Sequence, residues 1–166
     1  MPNIAATFDD GALANQAIAS LLSAGLTKDD ISLVMSDKAK HNFQSATKDT
    51  GDRAVVDTAI GAGTGGVLGA LLAGLTTVGA VLIPGAQLLV VGPVVSILSG
   101  IGTGAALGGL AGALSAVGIS AVESSRYSEE IKAGKAVVIA HAKDEAQAMA
   151  ARSILMSEGA NTIKAA

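Results

Sequence analysis

The sequence predicts an α+β fold in which two βαβ halves are separated by a long helical hairpin. Three observations predict it. Each end of the 166-residue chain carries a strand-helix-strand pattern, the two ends repeat one another, and the 65 residues between them, Thr58 to Val122, contain no Asp, Glu, Lys, Arg or His.

Ile4, Ala6 and Phe8 alternate with Ala5 and Thr7, the period-2 signature of a half-buried strand. Asp9 and Asp10 then offer an N-cap to the stripe Leu13, Ala17, Leu21 and Ala24, which stops at Gly25 as an amphipathic helix should. Ile31 to Met35 completes the first βαβ half, residues 1–36. At the far end the order returns as a strand Ala136–Ala140, a helix from Asp144 to Glu158 capped by Gly159, and a last strand Thr162–Lys164. An offset of 134 superposes Ile4 on Val138, Ala6 on Ala140, Asp10 on Asp144, Ala17 on Ala151, Leu21 on Leu155 and Gly25 on Gly159. Two such units make a ferredoxin-like split βαβ/βαβ sandwich, four strands in one sheet with both helices on one face.

Residues 37–57 are polar and irregular and read as a solvated linker. The charge-free run, 58–122, carries Gly61, Gly65 and Gly69, then Gly100, Gly104, Gly108 and Gly112, each at every fourth position. The spacing predicts two zipper helices, 58–80 and 96–122. Pro84-Gly85 and Gly92-Pro93 bend the connection between them, and Gln87 to Val91 adds a short turn or helix there. Residues 123–166 supply an amphipathic helix, with Tyr127 and Ile131 one turn apart before Gly134, and then the second half.

Glycine costs a helix about 1 kcal/mol relative to alanine, on the order of 7 kcal/mol over the two rows. Close contact between backbones is what offsets such a cost. Helices of these lengths span about 35 to 40 Å, enough for the ~30 Å hydrocarbon layer. No Trp belt or Lys/Arg cluster marks the ends of the run, as membrane helices usually show. The expected partners are therefore the chain itself and membrane lipid. The alternatives are a soluble homo-oligomer with buried hairpins, and a ligand-binding module using an open sheet face.

Composition excludes other classes. A net charge of −3 and a pI near 5.2 leave no basic footprint for nucleic acid. Cysteine is absent, which removes thiolate chemistry and fits a reducing compartment. Met1-Pro2-Asn3-Ile4 has neither the basic nor the apolar region of a secretory signal, so the expected location is the cytoplasm or the cytoplasmic face of the inner membrane. Gly61-Ala62-Gly63-Thr64-Gly65-Gly66 has the letters of a dinucleotide fingerprint, but the ribose-binding acid that should follow ~20 residues on is missing until Glu123. His41 and His141 have no i, i+4 partner and read as solvated. The pairs Asp9/Asp10, Asp29/Asp30 and Glu129/Glu130 fall where helix capping and the macrodipole explain them. No nucleophile elbow occurs. The reading is non-enzymatic, with no catalytic, metal or cofactor residues.

With repeat and hairpin in place, the chain resembles the bacterial general stress proteins of the heat-induced type. The resemblance rests on Ile31-Ser32-Leu33-Val34, the Gly61 to Gly74 zipper, Ile83-Pro84-Gly85 followed by Gly92-Pro93, Gly118-Ile119, and Tyr127 through Ile131-Lys132-Ala133-Gly134 into Val137-Val138. It implies a stress-associated, membrane-linked protein and brings no catalytic residues with it.

Overall fold

The computed structural model describes residues 2–9, 11–36, 80–83, 88–95, 111–112, 114–115 and 118–165. The first half forms β1 (Asn3–Phe8), α1 (Gly11–Ser23), a 3-10 turn (Lys28–Asp30) and β2 (Ile31–Ser36). From the charge-free run come β3 (Ala80–Ile83) and β4 (Leu88–Val91). Then follow α2 (Ala121–Lys132), β5 (Ala136–His141), α3 (Glu145–Ser157) and β6 (Thr162–Ala165). The fold is mixed α+β, with one antiparallel sheet ordered β3-β4-β2-β5-β1-β6.

Each βαβ half contributes two parallel strands with a strand of the other half between them. The halves meet in the β1–β5 pair, where Asn3 faces His141, Ala5 faces Ile139 and Thr7 faces Val137. Under the offset of 134, Asn3 maps to Val137 and Thr7 to His141, so the pairs at the two ends exchange. The repeat is thus a local two-fold axis through Ala5 and Ile139. It is broken farther out: Ile4 pairs with Ala165, whereas its equivalent Val138 pairs with Leu33, two residues beyond the symmetric position. The 3-10 turn takes up that difference.

Period-2 alternation sends Ile4, Ala6, Phe8, Ile31, Leu33, Met35, Val138 and Ala140 to one face, against Ala14, Ala17, Ile18 and Leu21 of α1 and Ala148, Ala151 and Leu155 of α3. Alanines on both sides let helix and sheet approach closely, and Phe8 supplies the bulk. The opposite face was expected to be open, and it is not. Ala5, Val34, Val90, Val137 and Ile139 are covered by Val94, Val95, Leu114, Ile119, Tyr127 and Ile131. The sheet lies between two layers.

The charge-free run departs from the expected hairpin. Residues 80–83 and 88–91 are strands, not part of a bent connection with a short turn or helix, and they extend the sheet, β4 pairing with β2 and β3 with β4. Val81, Leu82, Ile83 and Val90-Val91 are strand-forming residues bounded by Pro84-Gly85 and Gly92-Pro93. Their alternation is invisible in the sequence, because every residue of 80–83 and 88–91 is apolar. The helix expected to reach Val122 also stops short. Residues 111–112 and 114–115 are helical, Gly118 turns the chain at φ +89, and α2 begins afresh behind Ser120, whose hydroxyl accepts Glu123 N–H and donates to its carboxylate. Gly61, Gly65, Gly69, Gly100, Gly104 and Gly108 lie outside the described residues, as does linker 37–57. Among the described residues no helix is long and apolar enough to cross a membrane.

Two glycines show different constraints. Gly25 closes α1 at φ +96, donating to Leu22 O while Leu26 N–H reaches back to Leu21 O, the pattern that favours glycine after a helix. A Cβ there would meet nothing within 4 Å. Gly92 has the same φ, but its Cβ would lie 2.3 Å from Ile31 O and 2.9 Å from Ser32 Cα. Gly25→Ala should therefore lower the free energy of unfolding by about 1 to 2 kcal/mol, the left-handed penalty alone. Gly92→Ala should lose about 1 to 3 kcal/mol more, because β2 must move. Urea denaturation of both variants checks the difference, and equal losses would contradict this close approach.

Candidate functional site

Polar side chains gather at one end of the covered face. Asn3, Ser32 and His141 share that face because each is one residue out of step with the apolar set of its strand. Registers place Asn3 opposite His141 and Ser32 opposite Ile139, diagonal to His141. His141 Nδ1 lies 3.0 Å from Asn3 Oδ1, and Nε2 lies 3.1 Å from Ser32 Oγ. An amide oxygen can only accept, so Nδ1 carries the proton and Nε2 accepts from the Ser32 hydroxyl. Ser32 Oγ in turn accepts Val94 N–H at 3.2 Å. His141 is therefore half-buried and hydrogen-bonded at both ring nitrogens, rather than simply solvated as the sequence suggested. Burial pushes its imidazole below the ordinary 6.5, against the opposing pull of the Asp30 carboxylate. His41 lies outside the described residues.

Beside the row stands Asp30, placed there by the two-residue asymmetry of the 3-10 turn. Its carboxylate accepts Thr27 Oγ1–H at 2.6 Å and Thr27 N–H at 3.0 Å, and Lys143 Nζ lies 3.2 Å away. Desolvation raises its pKa, but these donors together outweigh it and hold the carboxyl below 3.8. The sequence reading gave Asp30 a capping role, which the Thr27 contacts bear out. The ion pair with Lys143 across 113 residues was not foreseeable from spacing.

The order Asn3–His141–Ser32 has the members of a nucleophilic relay without its access. Ser32 is fully buried, and its hydroxyl oxygen accepts Val94 N–H. What the arrangement holds is the Val94 backbone amide.

At the other end, α2 packs over β2 and β5 and reaches β1 and β6 through Tyr127 and Glu123. Tyr127 donates its hydroxyl to Ala5 O at 3.3 Å. Around it Glu123, Arg126, Glu130, Thr162 and Lys164 line a cleft of about 10 Å³, room for roughly one water, with Lys164 Nζ 3.7 Å from Glu123. Thr7 Oγ1 and Glu130 Oε2 are buried without a hydrogen-bond partner. Among the described residues no three His, Asp or Glu side chains converge as metal ligands would. Of the expected assembly glycines, Gly112 alone lies among the described residues; it is exposed and helical.

Comparison with protein-family models, curated proteins and solved structures finds no match.

Tyr127 is the single tyrosine, so tyrosinate absorbance reports it alone. Desolvation, then the Glu123 and Glu130 carboxylates, push its pKa from 10.0 up to about 12, with Arg126 opposing. A raised folded pKa means that the stability it contributes is present below pH ~10 and is lost as pH rises toward 12. Native protein should ionise near pH 12 or only on alkaline unfolding. Tyr127→Phe should cost about 0.5 to 1.5 kcal/mol at neutral pH and remove this share of the alkaline loss. A native titration at the ordinary tyrosine pKa would refute the burial.

Proposed function

We propose that this chain is a non-enzymatic structural protein that associates with copies of itself through the glycine rows of its charge-free run, with the α+β domain as anchor. The four strands β2-β5-β1-β6, covered on one face by α1 and α3, are read as a ferredoxin-like split βαβ unit, to which the β3–β4 hairpin adds an edge.

The observation that carries the reading is Gly112. It sits in a helix, exposed, and a Cβ added to it would meet nothing within 4 Å. Among the described residues nothing requires glycine there, yet glycine costs the helix about 1 kcal/mol. A contact from a second copy accounts for the residue. Ser32, enclosed as it is, supports the non-catalytic half of the proposal.

Chain length favours association over membrane crossing for the second row. Val95 and Leu114 belong to one buried cluster, and 15 residues, 96–110, separate Val95 from Ala111. Fully extended they reach roughly 50 Å, less than the ~60 Å of two hydrocarbon crossings. A membrane contact through residues 58–79, and the stress-associated role that the family resemblance implies, are compatible with the proposal and form part of its test.

Gly65→Leu, Gly104→Leu and Gly112→Leu each place a bulky side chain where backbones are proposed to touch, at a cost of about 1 to 3 kcal/mol per site, although leucine raises helix propensity and hydrophobicity. Light scattering in detergent-free buffer should show each variant shifted to smaller species than wild type, with the far-ultraviolet circular dichroism retained. Wild-type-sized assemblies from all three variants, or a monomeric wild type, would defeat the proposal. Wild type recovered only from carbonate-washed membranes would transfer it to lipid.

A further inference from the structure

We infer that the Asn3–His141–Ser32 row is a proton-operated clasp: neutral His141 holds the Gly92–Val95 return of the charge-free run against β2, and protonation of His141 releases it. The inference stands on this geometry alone and holds whether or not the chain self-associates.

The clasp follows from a count of donors and acceptors. With His141 neutral, Asn3 Oδ1 takes the Nδ1 proton, Ser32 Oγ–H goes to Nε2, and Ser32 Oγ is free to accept Val94 N–H. Each hydrogen has one acceptor. Adding a proton at Nε2 turns that nitrogen into a donor facing a donor. Ser32 must then rotate its hydrogen away while accepting from both the imidazolium and Val94, in a fully buried position where an unmatched polar hydrogen is costly. The row also has no slack to relax into. A Cβ on Gly92 would lie 2.3 Å from Ile31 O and 2.9 Å from Ser32 Cα, and one on Gly118 would lie 3.2 Å from the Asn3 amide nitrogen. Lifting the Gly92–Val95 return admits water to both the imidazolium and the hydroxyl.

The charges around the row do not absorb the added proton. Asp30 attracts it, but that carboxylate is already held by Thr27 and Lys143, and the Lys143 ammonium repels it. The covering segments Gly92–Val95 and Gly118–Ile119 bring no charge, and Glu123 at the start of α2 is turned to Lys164. Burial already works against the imidazolium. The sign follows: a histidine depressed in the closed state binds its proton more readily in the open one, so opening is favoured as pH falls below 6.5.

The test is hydrogen exchange at the Val94 amide in the full chain, corrected for the intrinsic rate, from about pH 7.5 to about pH 5. Protection should be constant above the ordinary histidine pKa. Below it, protection should fall by about tenfold per pH unit until the closed-state pKa is passed, while protection at Val138 in β5 stays unchanged. In His141→Gln the dependence should vanish, and in Asp30→Asn it should begin to level off at lower pH. Protection that is flat with pH in wild type, or a slope that survives His141→Gln, overturns the clasp. If His141→Gln does not fold, histidine nitrogen NMR of wild type decides, with His41→Ala assigning the second ring. An Nδ1–H tautomer whose loss tracks Val94 exposure supports the clasp, and an Nε2–H tautomer, or a titration uncoupled from Val94, overturns it.

Discussion

Everything else in the molecule depends on the pairing of β1 with β5. Six residues near the start, Asn3–Phe8, lie against six near the end, Ala136–His141, and close a loop of nearly the whole chain. Closing a loop of that length costs on the order of 4 kcal/mol beyond the local cost of forming the strands. The pair recovers this because both of its faces are buried: Ile4, Ala6, Phe8 and Val138 under α1 and α3, Ala5, Val137 and Ile139 under α2 and the returning segments. Strands covered on both sides gain more per residue than strands with one face in water. The flanking strands β2 and β6 add to this pair on either side, and the hairpin adds to β2.

The two-fold relation across that pair explains what is shared by the halves, and its breakdown explains what is particular to one end. Gly25 and Gly159 close their helices with the same pair of backbone hydrogen bonds. His141 and its equivalent Thr7 have different surroundings. His141 is tied to Asn3 and Ser32, while the Thr7 hydroxyl is buried without a partner. The extra residues of the 3-10 turn bring Asp30 alongside His141, so charge, imidazole and serine meet at one end of the sheet only. A duplicated architecture thus carries a polar centre that is not duplicated.

The strands and helices of the two halves are legible because polar positions, caps and glycine stops interrupt the apolar residues there, and period can be read only where the two classes differ. Asp144 as N-cap, Gly159 as stop, and Tyr127 with Ile131 on one buried face all follow from that contrast. Between Thr58 and Val122 the contrast disappears. Leu88 to Val91 fits a strand as well as a helical turn when judged by hydrophobicity, and glycine spacing elsewhere in the run biased the choice toward helix. The polar row was illegible for another reason. His141, Ser32 and Asn3 have no common spacing, and a lone histidine at the end of a strand looks the same whether it faces solvent or two hydrogen-bond partners.

By itself the sequence determined the two βαβ halves, their repeat, the caps that bound their helices, and the absence of charge from the middle of the chain, since each of these is written in the order of neighbouring residues. Only the tertiary structure decided that part of the charge-free run pairs with β2, that the second face of the sheet is covered, and that His141 is drawn into a half-buried row with Ser32 and Val94. Those outcomes depend on which donors and acceptors come to face one another across separations from dozens of residues to more than a hundred. Strand register and sheet order set that arrangement, and neither is a local property of the chain.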